Sequence, residues 1–317
     1  MAEGDDLAQE LSELLPGRVT TDVTSYLKDW WPLLRFSDQT FGSASAAVRP
    51  ANVDELTRLV NFASSKGISI YVRGGGSSVT GASIPSGGIV VDTSSLNQIL
   101  DTDQPNRTVT VQAGVRLKTL EAKLNEGGFT LSQFPESFEL ATVGGYISTL
   151  GSGQYSTLYG GVEDSVLRLE VVLPSGDVVW TRRRGAPRSS VGPDLSRIFL
   201  GAEGSLGIIS AAELKIRKLP NYEWKAAFGF ASFEDAVNAS RALTELDVKP
   251  AVCRANNEVE SQLQFGEKGC TLVLVYHFRS KDVMEAVRGE VLALLEANST
   301  PADPKLVDLW LESRFNF

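Results

Sequence analysis

Cysteine and histidine are nearly missing from this chain of 317 residues: Cys253 and Cys270 are its two cysteines and His277 its one histidine. A zinc centre gathers its ligands chiefly from those residue types, so the chain argues against one. Two cysteines make at most one bridge, so no disulfide framework is expected and both are read as free thiols. A Ser-His-Asp hydrolase would rest wholly on His277, and no G-x-S-x-G elbow supplies its serine. His277 stands inside the apolar run Thr271–Phe278 and reads as a strand residue rather than a ligand. Long apolar runs are missing too. No stretch reaches the roughly 18 residues of a membrane helix. The start, Met1-Ala-Glu-Gly-Asp-Asp, is acidic and lacks a signal peptide's basic segment, so a cytoplasmic protein is expected. Basic residues are in deficit, 30 against 39 acidic, for a net charge of −9. That argues against a nucleic-acid binder, which needs clustered Lys and Arg. The basic cluster Arg182-Arg183-Arg184 precedes Gly185 and Pro187, and reads either as solvated loop or as part of an anion site.

The length suits two domains or one large one. Residues 1–44 read as an N-terminal helical segment carrying Tyr26, Trp30, Trp31 and Phe36, with Ser37–Ala47 as a connector. Val53–Lys66 reads as a helix. Asn52 can cap it, Val53, Leu56, Leu59, Val60 and Ala63 share a face, and Gly67 ends it. Strands are expected at Ile68–Val72, Gly88–Asp92, Thr108–Ala113, Val166–Leu173, Val178–Arg182 and Ile208–Ile216, with helices at Leu117–Gly127 and Leu195–Leu200. Residues 133–165 are rich in Gly, Ser and Thr and read as a long functional loop. After Pro220 come a strand (Trp224–Phe230), a helix (Ser232–Leu246), a region around 251–265, a strand (Thr271–Phe278) and a helix (Lys281–Ala297). That order suggests a ferredoxin-like second domain. The fold class is α+β, with a first domain over 45–220 and a second over 221–317.

Glycine-rich segments carry the chemistry. Val72-Arg73-Gly74-Gly75-Gly76-Ser77-Ser78 follows a buried strand. Its glycines let backbone N–H groups turn inward and approach a ligand, as a diphosphate cradle requires; the bland alternative is a tight turn with no ligand. A Rossmann fingerprint fails, because Val79 stands where the third glycine should be and Thr80–Pro85 is no helix start. A Walker A loop fails for want of Gly-Lys-Ser/Thr. Three further segments follow in order: Glu136-Ser137-Phe138-Glu139-Leu140-Ala141-Thr142-Val143-Gly144-Gly145, then Thr149-Leu150-Gly151-Ser152-Gly153, then Glu203-Gly204-Ser205-Leu206-Gly207-Ile208-Ile209.

Together these four resemble the FAD-binding loops of the vanillyl-alcohol-oxidase/PCMH flavoproteins. Within that superfamily the chain is most similar to the alkyldihydroxyacetonephosphate synthase family. The likeness rests on Ser148-Thr149 with Gly151-Ser152-Gly153, on Tyr159-Gly160 with Glu163-Asp164, on Gly185–Asp194, and on Gln264-Phe265-Gly266. The resemblance implies a PCMH-type FAD-binding domain of two α+β subdomains over 45–220. It also implies an incomplete ferredoxin-like cap domain over 221–317. Residues 72–78 would hold the pyrophosphate, residues 136–142 and 149–152 would line the cofactor, and residues 203–209 would close the adenine side. Glu203 reads equally as a carboxylate capping local N–H groups. Arg188 reads as an anion-binding group near substrate or as a surface loop arginine. The loops hold no histidine or cysteine for a flavin bond, so noncovalent FAD is expected.

The resemblance leaves three readings open. One is a flavoenzyme of ether-lipid synthesis, in which the flavin acts as a nucleophile while an acyl chain is exchanged for an alkyl chain; its relatives oxidise 2-hydroxy acids such as lactate or glycolate. The second is an FAD-binding module without turnover. Family members are considerably longer, and the tyrosine and histidine cluster of their C-terminal half has no counterpart up to Phe317. The resemblance therefore assigns no catalytic base. The third is a scaffold whose glycines are structural only. Expected partners are a small-molecule substrate, lipid-derived in the synthase reading, and a second copy in a homodimer, with no nucleic acid and no transmembrane segment.

Overall fold

The computed structural model describes residues 2–30, 42–185, 188 and 190–313. Trp31, Phe36, most of the expected Ser37–Ala47 connector, Ala186, Pro187 and Ser189 lie outside the described residues. The chain forms two compact units. The first comprises Met1–Leu131, Ser137–Gly151 and Val162–Arg217; the second comprises Ser132–Glu136, Ser152–Gly161 and Lys218–Phe317.

The first unit holds a four-stranded and a five-stranded sheet, beside a two-stranded one. β1 (Val19–Thr20), β2 (Ala46–Val48), β3 (Ile70–Arg73) and β4 (Ile89–Asp92) form a four-stranded sheet in the order β1-β2-β4-β3. β2, β4 and β3 run parallel. A parallel sheet needs a crossover, and the helix Val53–Lys66 supplies it between β2 and β3. Asn52 caps this helix, its side chain accepting from the Glu55 amide at 2.8 Å, and Gly67 ends it in the left-handed region at φ 65°. Its face of Leu56, Leu59, Val60 and Ala63 packs with Leu11, Leu15, Val48, Ile89 and Val91. Each large side chain buried there contributes about 1.5–3 kcal/mol. All of β4 is buried, as expected of a strand covered on both faces.

The second sheet has five strands. They are β5 (Ile99–Asp103), β6 (Thr108–Gln112), β8 (Val166–Val172), β9 (Val178–Trp180) and β10 (Ile208–Lys215), in the order β5-β6-β10-β8-β9. β7 (Phe129–Thr130) follows the helix Leu117–Glu126, and β11 (Arg217–Lys218) marks the passage from one unit to the other. β10 is the axis of the sheet, with Ala212 opposite Val111 on one side and Ile208 opposite Val172 on the other. Buried within it, Arg168 pairs with Glu213 and lies over the Trp180 ring at 4.1 Å.

The stretch 133–165, expected as one long loop, contains three short helices: Val143–Ser148, Ser156–Tyr159 and Val162–Ser165. The first is capped by Thr142, which accepts from the Gly145 amide. Gly144 lets it lie flat on Ala113, whose Cβ would stand 2.7 Å from any Cβ added there. Glycine content hid this helix, because propensity disfavours what packing here requires.

In the second unit β12 (Tyr222–Phe230), β13 (Val252–Asn256), β14 (Cys270–Phe278) and β15 (Thr300–Ala302) form an antiparallel sheet ordered β13-β14-β12-β15. With the helices Phe233–Glu245 and Lys281–Leu295 this is the β-α-β-β-α-β arrangement of the ferredoxin-like fold. A further helix, Glu258–Phe265, sits between β13 and β14. Phe228, Phe230, Leu272, Leu274, Tyr276 and Val291 fill one face of the sheet. On the other, Val273, Val275, Val307 and Trp310 pack with Tyr155, Leu158 and Tyr159 of the segment Ser152–Gly161. Cys253 and Cys270 are both free thiols. No helix among the described residues is long and apolar enough to cross a membrane.

Candidate flavin site and family membership

β3 delivers Val72 and Arg73 and then gives way to Gly74–Ser78, beside the parallel strand β4. This loop lies backbone to backbone against Leu140–Thr142. A Cβ on Gly74 would overlap the Thr142 hydroxyl, and one on Gly75 would overlap the Leu140 carbonyl. Gly76 adopts φ 67°, the left-handed region that glycine enters without cost. The Leu140–Gly144 stretch is itself fixed, because Val143 N donates to Val115 O at 2.8 Å and Gly144 N to Ala113 O at 2.7 Å. Gly204, at φ 83°, brings the fourth glycine-rich segment to β3; a Cβ there would come within 3.0 Å of Val72. Glu203 N donates to Ser148 O at 3.1 Å and Gly201 N to Ile147 O at 3.3 Å, tying that turn to the end of the helix Val143–Ser148. The first unit therefore gathers residues 72–78, 137–151 and 203–209 around one place. Glu136 and Ser152, also expected at the cofactor, belong to the second unit.

Two non-glycine residues of this cluster hold left-handed backbones, Leu150 at φ 50° and Glu203 at φ 49°. Such conformations cost of order 1–3 kcal/mol and persist only where the surroundings impose them. The amides of Gly75, Gly76 and Ser77 meet no hydrogen-bond acceptor among the described residues, although all three residues are partly buried. Three consecutive unspent amides on a glycine turn are a nest suited to an anionic group. A diphosphate fits that donor set, and glycine at 74–76 removes the side chains that would obstruct it.

Several expected residues prove to be spoken for. The Arg73 guanidinium lies against Gly76, where an added Cβ would overlap it, and donates to Tyr26 O at 3.2 Å and Lys28 O at 2.7 Å. Burial pulls it below the ordinary arginine value, opposed by Asp29, Tyr26 and Asp92. Glu139 pairs with Lys118 at 2.6 Å, and Thr149 donates its hydroxyl to Gly145 O at 3.0 Å. Ile208 and Ile209 are buried on the two faces of β10, one in each core of the unit. Phe138 packs against the core of the five-stranded sheet, and Ala141 is buried within it. Leu206 and Ser205 are exposed, as is Arg188.

Sequence reasoning missed the brace behind the nest. Asp92, at the end of β4, accepts from the Tyr26 hydroxyl at 2.7 Å and pairs with Arg49 at 2.9 Å. Burial raises the Asp92 carboxyl, but hydrogen bonds from Ser94 and Tyr26 and the charge of Arg49 outweigh it and hold the group below its ordinary value. Trp30 N donates to Ser78 O at 2.8 Å and Asp29 accepts from Gly81 N at 3.0 Å, so residues 26–30 bind the loop from outside. Nothing local marks these partners, which stand far apart in the chain.

Residues 44–182 match the family described as FAD binding domain. An FAD-linked oxidoreductase of Escherichia coli (strain K12), YgcU, is 32% identical over 324 residues, covering 97% of this chain and 66% of its own length. The alkyldihydroxyacetonephosphate synthase of Caenorhabditis elegans is 36% identical over 212 residues, covering 65% of this chain and 35% of its own. A solved structure of an alkyldihydroxyacetonephosphate synthase aligns with 98% of this chain and 67% of that one, at TM-score 0.83 and 27% identity. The chain thus spans 66% of the length of the first relative and 35% of the second. With the glycine nest at 74–76 in view, residues 44–182 form an FAD binding domain, the chain is similar to an FAD-linked oxidoreductase and to alkyldihydroxyacetonephosphate synthases, and FAD is its cofactor.

Proposed function

We propose that this chain is the FAD-holding portion of a flavoenzyme of the alkyldihydroxyacetonephosphate synthase kind, acting on a small phosphorylated ketone substrate. The likeness to a solved synthase over 98% of the chain supports this most, because it extends well beyond the FAD binding domain at 44–182. Bound FAD would supply the reactive ring. The amides of Gly75, Gly76 and Ser77 would take the diphosphate, and Gly74 and Gly75 would keep the loop close to Leu140–Thr142. Leu140–Thr142, Thr149–Gly151 and Glu203–Gly204 would line the cofactor, and Arg188 would offer its guanidinium to an anionic substrate group. No histidine or cysteine occurs in these loops, which supports noncovalent attachment.

The test is a stopped-flow experiment on the FAD-loaded chain. Acyl-dihydroxyacetone phosphate and a fatty alcohol are expected to give alkyl product with no net flavin reduction. Bleaching of the flavin by D-lactate or glycolate would instead favour a 2-hydroxy acid oxidoreductase, a reading supported by the 32% identity to an FAD-linked oxidoreductase over 97% of the chain. A colourless protein that gains no thermal stability from added FAD would overturn both.

A further inference from the structure

The second unit contains the chain's one histidine, and it is not idle. His277 on β14 lies opposite Glu223 on β12 in the strand register. Its Nε2 is 3.0 Å from the Glu223 carboxylate and its Nδ1 is 2.8 Å from the Tyr159 hydroxyl. The side chain of His277 is only 7% exposed. The Tyr155 ring meets the imidazole edge-on at 4.9 Å, and Phe134 backs Tyr155 at 5.1 Å, so the ring plane is fixed.

These contacts dictate the proton positions. The hydrogen bond from His277, with support from Lys225, holds Glu223 below the ordinary carboxylate value against the effect of burial, so it is ionised at neutral pH. An ionised carboxylate only accepts, so Nε2 carries the hydrogen and Nδ1 presents a lone pair. Tyr159 must therefore donate its O–H to Nδ1. An acidic group orients an imidazole, which in turn holds the proton of a hydroxyl: that is the order of an activated nucleophile or base. Lys225 pairs with Glu223 at 2.9 Å and with Asp308 at 2.8 Å, leaving one net negative charge beside His277. Arg279, further along β14, is turned to Leu219 O at 2.8 Å.

We propose that Tyr159, His277 and Glu223 form an acid–base site in which Tyr159 exchanges a proton with a hydroxyl or carbonyl oxygen of substrate. His277 and Glu223 are positioning residues. As the Tyr159 oxygen takes a proton from a substrate hydroxyl, its own proton passes to Nδ1, and the imidazolium is balanced by Glu223. The reverse transfer protonates a substrate oxygen. The substrate class rests on the proposed function above; the activation of Tyr159 does not.

The test reads the phenol directly. The full chain is treated with N-acetylimidazole and the acetylated tyrosines are measured by mass spectrometry. The acetyl group moves to the phenolic oxygen, and imidazole leaves with the proton. Tyr159 is expected to react at least tenfold faster than the exposed Tyr222, and His277→Gln and Glu223→Gln are expected to remove most of that advantage without slowing Tyr222. A single imidazole signal set in ¹⁵N-histidine NMR is expected to show the Nε2–H tautomer, with Nδ1 shifting in Tyr159→Phe. Equal reactivity of Tyr159 and Tyr222, or a rate indifferent to His277→Gln in a folded variant, overturns the site. Yellow protein with an ordinary Tyr159 defeats this proposal alone, and colourless protein with a reactive Tyr159 defeats the flavin reading alone.

Discussion

Gly75 lies so close to Leu140 that a Cβ on it would overlap the Leu140 carbonyl, joining the two loops backbone to backbone. Because neither backbone can yield cheaply, Gly75→Ala is expected to push the nest open. FAD affinity should fall about tenfold or more, a loss of at least ~1.4 kcal/mol of binding. Titration of apoprotein with FAD, followed by flavin fluorescence, measures it. Wild-type affinity in a folded Gly75→Ala variant would show that the nest does not hold the cofactor.

Gly289 is the contrasting case. It lies in the exposed part of the helix Lys281–Leu295, and a Cβ there would meet nothing within 4 Å. Gly289→Ala should therefore stabilise the chain by about 0.5–1 kcal/mol, by removing backbone freedom from the unfolded state. Urea denaturation of the two proteins gives the sign directly.

Glu203 carries a side chain at φ 49°, where an L-residue is strained. Glu203→Gly is expected to leave stability unchanged or to raise it by up to about 1 kcal/mol. A loss of more than that, in the same urea assay, would mean that the Glu203 side chain contributes contacts that outweigh its backbone strain.

Asp92 sets a pH dependence. Its carboxyl titrates below the ordinary range in the fold, so the unfolded chain binds its proton more readily. Its contribution is thus complete above the unfolded value of about 4 and is lost as pH falls through the lower folded value. Asp92→Asn should cost roughly 1–3 kcal/mol at neutral pH, because Arg49 and Tyr26 lose their ionised acceptor. The gap between wild type and variant should narrow as the pH is taken well below 4. A gap that stays constant with pH would remove Asp92 as the source.

What could be read from the sequence was what local chemistry controls. Asn52 and Gly67 delimit a helix through their own cap geometry, and the run at 74–76 declares a close approach because nothing but glycine fits there. The alternation of strands and helices after Pro220 was legible for the same reason. Contacts between distant residues were not. Tyr159 and His277 are 118 positions apart, and their bond helps to place Ser152–Gly161 with the second unit although the neighbouring Gly151 stays with the first. Likewise Arg73 stood among the residues 72–78 expected at the pyrophosphate, and the partners of its guanidinium, the carbonyls of Tyr26 and Lys28, come from a distant part of the chain. A register such as Glu223 opposite His277 depends on how two strands slide into place, and no periodicity records that.

Val162 N donates to Gly151 O at 3.1 Å, so the chain leaves the first unit and re-enters it at almost the same point. Residues 152–161 consequently behave as a cassette. They serve the second unit, where Tyr155, Leu158 and Tyr159 pack, while the path of the first unit on either side of them is already stitched shut.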